Sequence, residues 1–262
     1  MKYTAGFIGA GNMGGALLKA VSEKIGGENT AVYDISVKSA QAAAEKNGAA
    51  FVTLEELVKE SKHIFLGVKP NVIDSVCREI RAFIGGQSVI VSMAAGVCIS
   101  DLQNELRNDR IIRIMPNTPA AVGEGMILYS TGDGITEDSE FLNIMSGCGM
   151  IDKIDEKLID AAAALSGCGP AFVYMFIEAL ADGAVCRGLP RAKAQLYAEQ
   201  TVLGAAKLAL SSGKHPGLLK DEVCSPGGTT IEGVLALENG AFRHAVASAV
   251  TAAFDKTAKL KK

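Results

Sequence analysis

Three glycines near the start of the chain, Gly9, Gly11 and Gly14, have the G-x-G-x-x-G spacing of a turn that receives a dinucleotide. Within Ile8-Gly9-Ala10-Gly11-Asn12-Met13-Gly14 each glycine has its own mechanical role. Gly9 permits the tight turn, Gly11 lets a pyrophosphate approach the backbone, and Gly14 lets the following helix pack closely on the strand. The helix N-terminus offers free N–H groups and a positive dipole end to the phosphates. Asp34 follows Gly14 by 20 residues, about where a carboxylate meets the adenine ribose hydroxyls. Far along the chain, Ser225-Pro226-Gly227-Gly228-Thr229-Thr230 places a glycine pair and hydroxyl residues at the opening of a helix. That pattern makes a cradle for a carboxylate or phosphate; from spacing alone it reads first as a well-capped helix start, since Ser and Thr favour N-caps.

These residues need elements to hold them. A short apolar strand precedes Gly9, a helix with Leu17, Leu18 and Val21 follows, and a second strand runs from Ala31 to Asp34. Further apolar strands over 64–68, 89–92, 111–115, 126–129 and 150–154 alternate with helical patterns. Such continuous apolar strands predict a doubly wound α/β domain over residues 1–155, its parallel sheet covered on both faces. Ligands of these sheets sit outside the carboxyl ends of the strands. That rule selects Gly67-Val68-Lys69-Pro70, Ser92-Met93-Ala94-Ala95-Gly96 and the stretch from Met115 to Pro119. There Lys69 could approach a ribose or phosphate, and Asn117 could hydrogen-bond a nicotinamide amide; ordinary turn chemistry explains both equally well. From residue 156 to 262 the pattern is helical throughout. The helix expected over Ala171–Arg187 is apolar on most sides, and such helices must be buried. A segment of this size cannot readily cover them alone, so a second copy of the chain, most simply in a homodimer, is expected to do so.

Composition narrows the function further. The 262 residues are 48% hydrophobic and 21% charged, as in a globular protein of one large domain or two ordinary ones. A formal charge of −3 argues against a nucleic-acid partner, which would need a concentrated basic face. The basic run Lys256–Lys262 is short and reads as a solvated chain end. None of Cys77, Cys98, Cys148, Cys168, Cys186 and Cys224 forms a C-x-x-C pair, and His63, His215 and His244 stand in unrelated contexts. No metal site, disulfide framework or nucleophilic triad is expected, and reduced thiols in a cytoplasm fit better. Lys2 and the uncharged run after it imitate a secretory leader, but the run is too rich in glycine. The uncharged stretch Leu165–Ile177 contains Gly and Pro and is too short to span a bilayer.

Taken together, Phe7–Gly14, Gly67–Pro70, Met115–Pro119, Leu165-Ser166-Gly167-Cys168-Gly169-Pro170-Ala171 and Leu219–Thr230 resemble the pyrroline-5-carboxylate reductases, over essentially the full length. The resemblance implies a Rossmann-type domain followed by a helical dimerisation domain, with dimers that in the family often assemble into a decamer. It implies NADPH or NADH as cofactor, with Ile8, Gly9, Ala10, Gly11, Asn12 and Met13 on the diphosphate and 67–70 and 93–95 lining the remainder. It implies substrate contacts at Glu156, Glu222, Thr229 and Thr230, with Ser225, Gly227 and Gly228 in the same loop. The reaction implied is hydride transfer to pyrroline-5-carboxylate, giving proline. Two departures stand out. Tyr33-Asp34 occupies a place where some members have a Ser-rich segment, which leaves the choice of cofactor open. Gly213 stands where some members have an acidic residue. A β-hydroxyacid dehydrogenase of the same two-domain design would have a lysine base where this chain has Val173, and valine cannot take a proton. A cofactor-sensing protein on this fold would not need the Ser225–Thr230 loop.

Overall fold

The computed structural model describes residues 1–258; the basic end Lys259–Lys262 lies outside the described residues. The elements of the first part alternate. They are β1 (Tyr3–Ile8), α1 (Asn12–Ile25), β2 (Thr30–Tyr33), α2 (Val37–Asn47), β3 (Ala50–Phe51), α3 (Leu54–Glu60), β4 (Ser61–Leu66) and α4 (Ile73–Ile80), then β5 (Val89–Ser92), α5 (Ile99–Leu106), β6 (Ile111–Met115), β7 (Gly125–Thr131), α6 (Ser139–Met145) and β8 (Gly149–Lys153). Six helices follow: α7 (Glu156–Ser166), α8 (Gly169–Val185), α9 (Arg191–Ser212), α10 (Pro216–Val223), α11 (Thr229–Asn239) and α12 (Phe242–Ala258).

The eight strands form one sheet in the order β3-β2-β1-β4-β5-β6-β7-β8. Its central strands β1, β4, β5 and β6 are almost wholly buried, which is why they read as continuous apolar runs. One hydrophobic cluster, around Phe7, Leu17, Phe65 and Phe141, covers one face. A second, around Ile64, Ile73, Ile80 and Ile90, covers the other. The expected all-parallel sheet needs one correction: β7 runs antiparallel to β6, and β8 is parallel to β7. Connection length is the reason. Only residues 116–124 lie between β6 and β7, and a parallel crossover needs a dozen residues or more.

Thr53-Leu54-Glu55-Glu56 has the spacing of a capping box, and the Thr53 hydroxyl accepts the Glu56 N–H at 3.2 Å. Asn71 lies inside a 3₁₀ turn, Pro70–Val72. The N-cap of α5 is Cys98, whose N–H donates to Asp101 at 3.2 Å.

By its internal contacts the chain divides into residues 1–168, with the end of α12 from Ala253, and residues 169–252. The first unit thus runs past the boundary expected at residue 155, because α7 packs on β6 and β7. In the second unit α8 packs against α9 through Ala181, Ala194 and Ala198, its few fully buried apolar residues. Large apolar side chains there remain uncovered, among them Met175 (70% exposed), Leu196 (60%) and Leu210 (74%). The helical run Glu156–Val185 is long and apolar enough, by length and composition alone, to cross a membrane.

Candidate active site

At the carboxyl end of β1 the chain turns on Gly9, whose φ of +103° lies in the left-handed region that favours glycine. A Cβ on Gly9 would stand 2.6 Å from the Gly67 carbonyl oxygen, and one on Gly14 would collide with the Gly9 carbonyl. Gly11 is different: nothing lies within 4 Å of the space its Cβ would fill. Two of the glycines therefore knit the turn to the end of β4, and the third leaves an open backbone cradle at the start of α1. Gly11 is the N-cap of α1, and no side chain occupies its capping position. The first N–H groups of the helix are thus free for an anion. This is the fit that a dinucleotide diphosphate requires.

Asp34 closes the back of the cradle. One carboxylate oxygen accepts the Ala10 N–H at 2.7 Å, and the other accepts the Ser36 N–H at 2.8 Å. The Gly9 N–H meanwhile donates to the Tyr33 carbonyl at 2.8 Å. The half-buried carboxylate thus already clamps the turn, and its remaining lone pairs are what a ribose hydroxyl can use. Lys69, Pro70 and Ala95 come together as expected, lining a cavity of about 670 Å³ at the carboxyl ends of β4 and β5, with Asp74, Cys98 and Asp101. Val68 and Met93 pack against the core clusters beneath the strands, and Ala94 is itself a buried core residue. Asn117 has a structural role. Its Nδ2 donates to the Ser166 carbonyl at 3.0 Å, and its Oδ1 accepts the Met126 N–H at 2.9 Å. It ties the ends of β6 and α7 to β7, with one amide hydrogen left over.

Glu156 makes structural bonds through one carboxylate oxygen. Its Oε1 accepts from Arg113 Nη1 at 3.1 Å and from the Ile99 N–H at 2.7 Å. The buried Arg113 guanidinium also donates Nη2 to Asp160 Oδ1 at 2.7 Å. Glu156 opens α7 and Ser166 closes it, so about 15 Å of helix separates Glu156 from the end held by Asn117. Glu156 thus joins α7 to α5 and β6.

In the second unit the loop before α11 is well defined. The Gly228 N–H donates to the Ser225 carbonyl at 3.0 Å. Pro226 follows Ser225, and Gly227 has φ +65°, the sequence and geometry that a type II turn requires. Gly228 is the N-cap of α11, and no side chain bonds there. Thr229 and Thr230 are the first two helical residues, so neither hydroxyl serves as the cap. The first N–H groups of α11 are therefore not taken up by a side-chain cap. Glu222, on α10, pairs with Lys214 at 2.6 Å.

The family model described as pyrroline-5-carboxylate reductase dimerisation matches residues 156–260, and one described as NADP oxidoreductase, coenzyme F420-dependent, matches residues 4–96. The chain is 45% identical to the pyrroline-5-carboxylate reductase of Arabidopsis thaliana, over 98% of this chain and 95% of that one. It is 42% identical to that of Escherichia coli K12 over the whole of both. The chain belongs to the pyrroline-5-carboxylate reductase family. Its fold is correspondingly similar to the crystal structure of a Plasmodium falciparum pyrroline carboxylate reductase with NADP bound, with a TM-score of 0.88, 33% identity and 98% of each chain covered.

As a member of this family the chain is an NAD(P)H-dependent oxidoreductase. Matching the dimerisation model, it assembles with further copies of itself, and its uncovered apolar helices are the surface suited to that. Sequence reasoning missed Arg113 and Asp160. A signal was present: an arginine inside the apolar run Ile111–Met115, and two carboxylates, Glu156 and Asp160, four residues apart on α7, hence on one face.

Proposed function

We propose that this chain reduces 1-pyrroline-5-carboxylate to L-proline with a hydride from NADPH or NADH. The observation that carries the reading is the Gly11 cradle, clamped by Asp34, in a chain aligned end to end with reductases of that name. When bound, the reduced nicotinamide supplies a hydride to the imine carbon of the ring. The cradle residues Ile8 to Gly14 hold the diphosphate, and Lys69 and Ala95 line the cavity that takes the remaining cofactor. The free N–H groups at the start of α11 hold the substrate carboxylate. The Thr230 hydroxyl orients the ring or its nitrogen. The iminium carbon is already electrophilic and the product amine takes its final proton from water, so positioning and electrostatics suffice without a strong general acid.

We further propose a pentamer of dimers acting in the cytoplasm, with neither nucleic acid nor membrane as partner; the net charge of −3 supports the first exclusion. The test is NAD(P)H oxidation on adding pyrroline-5-carboxylate, run beside a hydroxyacid with NAD(P)+. Turnover of the hydroxyacid alone would overturn the reading, and so would tight NADPH binding without turnover of either.

A further inference from the structure

The wall of the cofactor cavity nearest α5 has few bonds of its own. Ala95, Gly96, Val97 and Cys98 line that cavity. Among the described residues, the backbone groups of Ala95, Gly96 and Val97 make no hydrogen bond within the chain. Val97 packs on the second hydrophobic cluster; otherwise the segment is placed by its two ends. At the β5 end the Met93 N–H donates to the Leu66 carbonyl at 3.4 Å, and the Ala94 N–H to Ser92 Oγ at 3.3 Å. At the α5 end two carboxylates take successive N–H groups. Asp101 accepts from Cys98 at 3.2 Å, and Glu156 accepts from Ile99 at 2.7 Å. Asp101 belongs to α5 itself, so its bond travels with that helix. Glu156 belongs to α7, so its bond fixes the start of α5 against another element. Arg113 holds the same Glu156 oxygen and is itself held by Asp160. The three side chains carry one negative charge in excess, which suits the positive end of α5.

We infer that Glu156, held by Arg113, is a positioning residue for the nicotinamide half of the cofactor. The inference rests on the cofactor placement proposed above. The sheet order puts β2, with Asp34 just beyond it, on one side of β1, and β4 and β5 on the other. A dinucleotide with its diphosphate at Gly11 and its adenosine at Asp34 therefore lays its other half across the ends of β4 and β5, against the 95–98 wall. A wall without bonds of its own would have to be ordered by the ligand, at a cost in affinity. The Glu156 anchor orders it beforehand.

The experiment is fluorescence titration of the full chain with NADH, beside calorimetric titration with ADP, the adenosine diphosphate half of the same molecule. No substrate is present, so a substrate contact at Glu156 cannot enter the result. Glu156→Ala leaves Arg113 paired with Asp160, so no buried charge is stranded. Ile99→Pro removes the N–H at the first position of α5, where proline is accommodated. Cys98 before it is already extended, with φ −82° and ψ 159°, as a residue preceding proline should be. Ile99→Ala keeps the N–H and controls for the lost side chain. Glu156→Ala and Ile99→Pro should each raise the Kd for NADH by about fivefold or more, while the Kd for ADP stays within about twofold of the parent. Ile99→Ala, and Glu156→Gln with its remaining oxygen acceptor, should keep NADH affinity within about twofold. Parent-like NADH affinity in both Glu156→Ala and Ile99→Pro would overturn the inference. Equal losses of NADH and ADP would overturn it too, because they mark a general loosening of the domain. If ADP does not displace NADH from the parent chain, the cofactor placement itself fails, and this inference with it.

Discussion

One carboxylate has two roles at position 34. Asp34 holds the Ala10 and Ser36 N–H groups and is also the acid expected to meet the adenine ribose. Its charge opposes a 2′-phosphate, and Lys38, in the first turn of α2, can offset that. We therefore expect both cofactors to work. Asp34→Ser should move the kcat/KM ratio toward NADPH while raising KM for both, because the clamp on the turn is lost. Steady-state kinetics with each cofactor check this, and an unchanged ratio would remove Asp34 from cofactor choice. At position 230 the structure sharpens a similar question. Replacing a capping Thr by Ala costs about 1 kcal/mol, but Gly228 is the cap here. Thr230→Ala should accordingly leave Tm near the parent value and lower kcat/KM for pyrroline-5-carboxylate by roughly tenfold or more, since about 1.4 kcal/mol of transition-state stabilisation is a factor of ten. NADPH affinity should not change. A lowered Tm with parent turnover would make Thr230 a helix residue only.

Elements are joined by groups that one sequence window does not reveal. Arg113 on β6 links Glu156 and Asp160 of α7. Removing one partner of a buried pair costs about 3–5 kcal/mol, so Arg113→Met should lower urea stability by that order. Glu156→Gln, with a side chain 29% exposed, should cost about 1 kcal/mol. If the two lose equal stability, the strut is not organised around the arginine. His63, on β4, gives an element-scale pH dependence. Burial, the main cause, holds its imidazole below the usual range, and Nδ1 meets the Thr4 carbonyl at 3.3 Å. Above pH ~6.5 the ring is neutral folded or unfolded. Below that the unfolded chain takes the proton more readily, so stability falls as pH drops. His63→Gln should lose that part of the acid slope on going from about one pH unit above the ordinary imidazole value to about one below it; parallel Tm curves for variant and parent would refute it. These cases also show what was legible beforehand. The Gly9–Gly14 turn and the Thr53 cap were readable because their spacing is local. The direction of β7 depended on the length of a connection, the Arg113 strut joins residues 43 and 47 apart, and the amide of Asn117 was taken up by backbone groups of β7 and α7.

For the whole molecule, the important imbalance lies in residues 169–252. Small side chains between α8 and α9 form the cluster of buried apolar residues there, while Met175, Leu196 and Leu210 stay uncovered within one chain. Family assembly supplies the missing cover. Thermal stability should therefore rise with protein concentration, by mass action; melting curves over a wide dilution series check this, and a concentration-independent Tm would contradict it. A consequence follows for how copies are made and kept. A newly synthesised chain can complete its sheet alone, but its helical half must wait for an encounter, so maturation is second order in chain concentration. Once paired, a copy that leaves must return these apolar side chains to water, so separation is opposed by the same burial that drives the encounter.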